Sequence, residues 1–485
     1  MRYLLSLPII IYTIGDTFRL GLSLGPGLSL KNGTVYLVGL ALALRMVMRG
    51  GYRFELPVLH TCFAILIAYA LCSMLVAGLI VRYDGYELVD SAINLKATLI
   101  DNAIILGLIF YGTRSIKDAV FLTKAIVAAV TVANIIWIAS IRGYIDIGTM
   151  SAPAGAAGRV EGPFGHPNET AAVIVALLPA CVVIARSSRG FSPAFWLVGA
   201  MSAIAMLFMT VSRGAFLAML IGYPWAAYVF RRYLSLREIL LWTCGLIVLG
   251  GVILSLLGTH FVALLLERVV TESGSSDVGA LSSGRSGFWV RALETMLATP
   301  LTLITGFGWN VYDSMAFVYA PHNQYLLTWF ELGLVGLCSF VLLLVRTLST
   351  VRSGVDRASP PSRGYLMAFV FGFGAFLIVL FFSNLSHAWT YVWAYAGVSL
   401  RMALITLETK TSAPGSVVRR EETPTNVRIR GVFGGSSKAG RRLTTSGQAT
   451  KPLTTTNSAS SRIKELGKES RTRCLEGDTH WDSMR

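Results

Sequence analysis

Four basic side chains stand where an oily chain has little ordinary use for them. Arg159 lies in "GRVEGPFGHPNETA", Arg213 in "TVSRGAF", Arg285 in "SSGRSGFW" and His322 in "FVYAPHNQYLLTWF". All four sit in glycine-punctuated turns or loops beside long apolar runs. A guanidinium is a planar fork that matches two phosphate oxygens at once. Several around one cavity suit a multiply charged oxyanion, each charge-assisted contact contributing about 1.5–3 kcal/mol where water is excluded. A neutral imidazole beside them accepts a proton from a hydroxyl. Phosphate plus hydroxyl at a membrane surface describes transfer from a lipid-linked diphosphate donor. Taken singly, each residue also has a plain reading. An arginine at a span end snorkels to the headgroups, Arg285 solvates a loop, and His322 caps a helix. Against that, Gly284 and Gly287 flank Arg285 and permit close approach. His322 follows Pro321 and precedes the amides Asn323 and Gln324, a fixed corner facing a ligand.

The elements that hold these residues follow from composition. The 485 residues are 54% hydrophobic and only 14% charged, with a mean hydropathy of +0.62. A soluble domain cannot hide that much apolar surface. The expected class is an all-α polytopic membrane protein, because helices satisfy every backbone group internally in lipid. Runs long enough to cross the hydrocarbon core recur about twelve times. They lie near 3–20, 33–49, 57–81, 93–112, 117–141, 169–186, 193–211, 214–230, 238–257, 323–347, 364–382 and 387–407. Alternate loops are short and basic, carrying Arg45, Arg49 and Arg53; Arg114 and Lys117; Arg186 and Arg189; Arg231, Arg232 and Arg237; and Arg346, Arg352, Arg357 and Arg363. The positive-inside rule puts this set and both termini in the cytoplasm. Arg159, Arg213, Arg285 and His322 then all face the opposite side.

Two outer loops are long, about 142–168 and about 258–322. Long loops in a compact bundle are usually functional or disordered. The second contains "SGFWVRALETML", whose spacing puts Trp289, Leu293 and Met296 on one helical face, with Ser286 as N-cap. Residues 1–408 form the expected bundle. The tail, 409–485, is rich in Ser, Thr, Gly, Lys and Arg and reads as disordered and cytosolic. From Glu408 onward the chain carries about +7 of the net charge of +16, which suits anionic lipid headgroups; no nucleic-acid partner is expected. Five of the six cysteines lie in apolar runs and suggest no disulfide framework. The N-terminus has no small-residue cleavage site after its first apolar run and reads as a retained helix.

The stretches "SRGAFLAMLIG" (212–222), "SGRSGFWVRALETMLATPLTLITGFGWN" (283–310) and "HNQYLLTWFELGLVG" (322–336) resemble the bacterial O-antigen ligase and O-antigen polymerase superfamily. So does the outline of about twelve spans with one large periplasmic loop before a late helix pair. The "H-N-x-x-L" corner followed by "E-L-G-L-V-G" is the more specific motif. The resemblance implies a glycosyltransferase of the bacterial inner membrane. It would move a glycan from undecaprenyl diphosphate onto an acceptor hydroxyl at the periplasmic face, without nucleotide sugar, bound metal or other cofactor. A ligase takes lipid A-core as acceptor, and a polymerase takes another lipid-linked repeat. The family's essential arginines fall on Arg213 and Arg285 and its essential histidine on His322. Arg159, in "R-x-x-G-x-x-x-x-P-N", matches a commonly retained arginine.

The expected mechanism joins both lines. Arg213 and Arg285 hold the diphosphate, with Arg159 and Asn323 contributing to substrate binding, and His322 orients or deprotonates the acceptor hydroxyl. No Asp-x-Asp triplet lies on the outer side, which disfavours a metal-bound nucleotide donor. Glu161, Glu272 and Asp277 read as solvated loop charges. Glu331, inside an apolar span, reads as a structural brace, either for an arginine or near water. A twelve-helix transporter or flippase for lipid-linked sugars is the rival class, but no half-to-half repeat is present. Between ligase and polymerase, the histidine-containing large loop favours ligase.

Overall fold

The computed structural model describes residues 1–21, 23–48, 55–145, 159–190, 192–235, 285–315, 317 and 320–411, with isolated residues between 237 and 263. Its helices are α1 (Arg2–Thr17), α2 (Leu30–Met48), α3 (Pro57–Leu75), α4 (Leu88–Leu95), α5 (Asp101–Gly112), α6 (Ile116–Ile141), α7 (Pro167–Ser187), α8 (Ser192–Thr210), α9 (Arg213–Val229), α10 (Arg285–Ala298), α11 (Thr302–Thr305), α12 (Gln324–Val355), α13 (Pro360–Val379) and α14 (Ala388–Thr411). π-Helical turns extend α3 to Val81 and join α4 to α5. Among the described residues the only strands are the two of a small hairpin, Ser23–Gly25 with Leu28–Ser29.

Eight helical runs among the described residues are long and apolar enough to cross a membrane. They coincide with eight of the expected spans. Helices α1, α9 and α14 stand at three more. The ninth expected span, 238–257, lies mostly outside the described residues, as do Glu272, Asp277, the first part of the large loop and the tail beyond Thr411.

Helix α7 is buried almost all round over its first fifteen residues, the pattern of a helix at the centre of a bundle. It packs against α8 and α13, and α13 packs on its other side against α9. Small residues set those distances, as they commonly do between membrane helices. A Cβ at Gly372 of α13 would stand 1.9 Å from the Ala176 carbonyl oxygen, and one at Gly222 of α9 would stand 2.5 Å from the Ala375 Cα. Pro179 interrupts the α7 ladder, because proline has no N–H to offer the carbonyl four residues back. That carbonyl, Val175, accepts the Tyr223 hydroxyl at 2.8 Å. The carbonyl that the proline leaves without a helical donor is thereby satisfied from α9.

A second break lies in α12. Gly333 has φ +59 and ψ −164 inside the run Gln324–Val355. The Phe330 and Glu331 carbonyls accept the N–H groups of Phe307 and Gly308, both at 2.9 Å. The two backbones cross so closely that a Cβ on Gly333 would stand 2.1 Å from the Ile304 oxygen. This crossing ties the 302–310 segment to α12 just after the His322 corner. Gly333→Ala places a side chain both in a left-handed conformation and against a backbone that cannot retreat. A loss on the order of 3–5 kcal/mol is expected. The detergent-solubilised variant should show a sharply reduced folded fraction; normal thermal stability would mean the crossing tolerates a side chain.

The expected amphipathic helix is α10. Met296 is buried, and Trp289 and Leu293 pack with it against Tyr312, Leu326 and Phe330. The helix begins at Arg285, so Ser286 falls in its first turn and is not its cap.

Candidate active site

The α13–α14 connection, residues 380–387, is where the site is assembled. Because α13 ends there and α7, α9, α10, α12 and α14 begin beside it, five helix N-termini meet one short loop. The contacts are specific. The Gln324 N–H donates to the Leu380 carbonyl at 2.8 Å, and Gln324 Oε1 accepts the Leu385 N–H at 3.1 Å. Arg285 Nη1 donates to the Phe382 carbonyl at 2.8 Å. Gly214 lies against the same residue, with room for no Cβ: one would stand 2.5 Å from the Phe382 Cβ. The buried Glu169 carboxylate accepts the Ser386 hydroxyl at 2.7 Å and the Ala388 N–H at 2.8 Å, closing the start of α14. Helix N-termini carry partial positive charge and unpaired N–H groups, so their meeting favours an anion nearby.

Glu169 is the clasp of that loop. Glu169→Ala leaves the Ala388 N–H without its partner, at about 1–3 kcal/mol for a buried donor. The expected result is a lower melting temperature. A Glu169→Ala protein with unchanged melting would show that the loop is held by other means.

Arg159 has a task in building the site. Its Nε donates to the Thr210 carbonyl and its Nη2 to Asn168 Oδ1, both at 2.9 Å. The Val160 N–H donates to the Met209 carbonyl at 3.1 Å. These groups cover carbonyls at the C-terminus of α8, which have no helical partner of their own and favour a cation. Asn168 Oδ1 also accepts the Ser212 hydroxyl at 3.0 Å. One amide oxygen thus connects Arg159, the start of α7 and the residue before Arg213. The intervening Val211 has φ +48 and is buried. For a β-branched residue that is a strained conformation, of order 1–3 kcal/mol, and such strain gathers at functional turns.

His322 also has a positive φ, +48. Its corner is fixed from both sides. The Trp289 indole of α10 donates to the Pro321 carbonyl at 2.7 Å, and Asn323 Oδ1 accepts the Leu326 N–H at 3.1 Å as the N-cap of α12. Burial pushes the His322 imidazole down to about 4, and the positive fields of Arg285 and Arg159 add to the shift. The ring is therefore neutral at physiological pH.

The structure brings Arg159, Arg213, Arg285 and His322 to one end of the bundle, around the 380–387 loop. Asn323 is beside them, but its side-chain oxygen is engaged in capping; the substrate contact expected of it falls to the amide nitrogen alone. Glu331 is buried and accepts backbone N–H groups of Asn310 and Tyr312. It braces the 302–314 segment and not an arginine. Glu161 is ion-paired with Arg19 and is more than a solvated loop charge. The features that spacing did not disclose are His166, Glu169 and the 380–387 loop. "HPNE" has a cap signature, His166 before Pro167 at the first helical position, but nothing linear connects it to residues more than two hundred positions away. Among the described residues no group of three or more His, Cys, Asp or Glu side chains is placed to hold a metal ion.

Residues 196–341 match the family model described as O-antigen ligase. That stretch contains Arg213, Arg285 and His322, so the superfamily resemblance of the three motifs is borne out where the motifs lie. Arg159, His166 and the 380–387 loop are outside it. No curated protein matches the chain. The match supports glycosyltransferase-type chemistry at a membrane, with a lipid-linked glycan and an acceptor as substrates in general.

Proposed function

We propose, taking the O-antigen ligase domain as premise, that the protein transfers a glycan from undecaprenyl diphosphate onto a hydroxyl of lipid A-core. The reaction takes place at the periplasmic face of the bacterial inner membrane. The observation that carries this reading is the meeting of Arg213, Arg285 and neutral His322 with five helix N-termini at the 380–387 loop. The alternation of basic loops is the support for the periplasmic side and for cytoplasmic termini.

In the reaction, the acceptor oxygen attacks the anomeric carbon in line as the bond from that carbon to the diphosphate oxygen breaks. The leaving diphosphate keeps the bonding electron pair, and Arg213 and Arg285 stabilise the charge that develops on it. The acceptor proton passes to His322 and then to water, and the anomeric centre inverts. Arg159 supports this arrangement through Asn168, which holds Ser212 beside Arg213. An imidazole depressed to about 4 is a weak base in the free enzyme. Burial is the main cause of that depression and the guanidinium field a smaller one; a bound diphosphate cancels part of the smaller contribution, so the donor itself makes His322 more basic when a proton must be accepted.

A polymerase would use the same donor and leaving group with a second lipid-linked repeat as acceptor. Purified full-length protein in proteoliposomes, given lipid-linked glycan and lipid A-core, tests the choice. Glycan joined to lipid A-core with release of undecaprenyl diphosphate is the expected product. Joining only of lipid-linked repeats to one another would replace the ligase reading with a polymerase. Movement of intact lipid-linked glycan across the bilayer without transfer would replace it with a flippase.

A further inference from the structure

The start of α7 carries a second imidazole, His166, at the same end of the bundle. Its Nδ1 accepts the Asn168 N–H at 3.1 Å and caps the helix. A neutral imidazole has one donor and one acceptor nitrogen. With Nδ1 engaged as acceptor, the proton resides on Nε2, and that atom presents an N–H. Burial lowers the ring's proton affinity, opposed by Glu169 and reinforced by Arg159. Because an Nδ1 that accepts the Asn168 N–H carries no proton, the ring is neutral and a donor through Nε2.

Its surroundings are those of the candidate site. His166 is within electrostatic reach of Arg159, Arg285 and His322. The preceding Gly165 has φ +77, and a Cβ there would stand 3.9 Å from His387 Cδ2 across the 380–387 loop. Its neighbour Asn168 is the amide that connects Arg159 and Ser212. The nearby carboxylates are engaged elsewhere, Glu169 with Ser386 and Ala388 and Glu161 with Arg19. A fixed neutral donor set among guanidinium groups and helix N-termini complements an anionic oxygen and has no capacity to take a proton through Nε2. The two histidines are therefore not interchangeable: His322 is placed to accept a proton, and His166 is locked to donate a hydrogen bond.

We propose that His166 is a donor-diphosphate-binding residue, its Nε2–H directed to a phosphoryl oxygen while its Nδ1 holds the start of α7. The inference rests on the transferase reading above and adds to it a contact outside the matched family segment.

Two substitutions separate the two nitrogens. In His166→Asn the short amide keeps an oxygen at the capping position, since asparagine is among the best N-caps, but it cannot reach as Nε2 does. In His166→Gln the longer amide places an N–H near the Nε2 position and gives up the cap. The assay uses full-length protein with lipid-linked donor and lipid A-core, and undecaprenyl diphosphate as the inhibiting probe. For His166→Asn we expect KM for the donor and the inhibition constant of undecaprenyl diphosphate to rise by about 10-fold or more, the size of one lost hydrogen bond to a charged group. KM for the acceptor and thermal stability should stay as in the wild type. His166→Gln should recover most of the donor affinity and melt earlier. Wild-type donor KM in a stable His166→Asn protein, or a shift in acceptor KM alone, overturns the proposal. So does a folded His166→Gln protein whose donor KM is raised by about 10-fold or more over the wild type, which also decides the matter should the asparagine variant not fold. Wild-type protein that neither transfers glycan nor responds to undecaprenyl diphosphate would instead bring down the underlying transferase reading.

Discussion

His322→Ala is expected to lower kcat/KM for transfer by roughly 10²–10⁴-fold, the usual contribution of a positioned acid–base group. Membrane insertion should be normal, because the corner is held by Trp289 on the Pro321 carbonyl and by the Asn323 cap, neither of which uses the imidazole. The accompanying pH dependence is specific. With burial as the first cause and the Arg285 and Arg159 guanidinium groups adding to it, His322 in the free enzyme is pushed down to about 4 from 6.5. The acid limb of kcat/KM, which reports the free enzyme, should therefore lie well below pH 6.5. In the proposed reaction the acid limb of kcat should lie at higher pH, because a bound diphosphate donor would offset the positive field. The same shift has a consequence for folding. A histidine whose folded-state value is depressed binds fewer protons than the unfolded chain between 6.5 and 4, so its contribution to stability is lost as pH falls through that window. A His322→Ala enzyme that transfers glycan at the wild-type rate would remove the imidazole from the mechanism.

Arg285→Lys is the second large effect, and it is not a conservative change. The guanidinium holds the Phe382 carbonyl through Nη1 at 2.8 Å from the first turn of α10. Its planar shape lets one group serve the loop and an incoming phosphate at once. Lysine keeps the charge as a single compact point and must choose between the two. A fall of about 10²–10³-fold in kcat/KM is expected, comparable with loss of one preorganised donor to a developing oxyanion. Arg285→Ala should fall at least as far. Steady-state kinetics against lipid-linked donor measures it, with undecaprenyl diphosphate inhibition weakened in parallel. Arg285→Lys with wild-type kinetics would mean that charge alone suffices and that the fork recognises nothing.

Much of this molecule is legible from its linear chain. Apolar runs at hydrocarbon length located eleven helical segments, eight of them long and apolar enough to span. The face Trp289, Leu293 and Met296 was visible from a helical period and is the face that packs. Arg213, Arg285 and His322 stood out because a polar group beside an apolar run costs free energy unless something uses it. Glu331 stood out for the same reason, yet its partners did not. It accepts the N–H groups of Asn310 and Tyr312, and backbone donors leave no trace in residue identities. Arg159 was legible as a residue but not as a task, because its acceptors include a main-chain carbonyl, that of Thr210.

The division has a physical basis. Transfer free energy is a property of each residue and accumulates along the chain, so membrane class, helical segments and the unusual cations can be read in order. Convergence is a property of packing. Gly372 against Ala176 and Gly222 against Ala375 place α13 between α7 and α9, and only that placement carries the 380–387 loop to the starts of five helices. Glu169 then meets Ala388, and His166 comes within the field of His322, across gaps of 219 and roughly 150 residues that no local pattern spans.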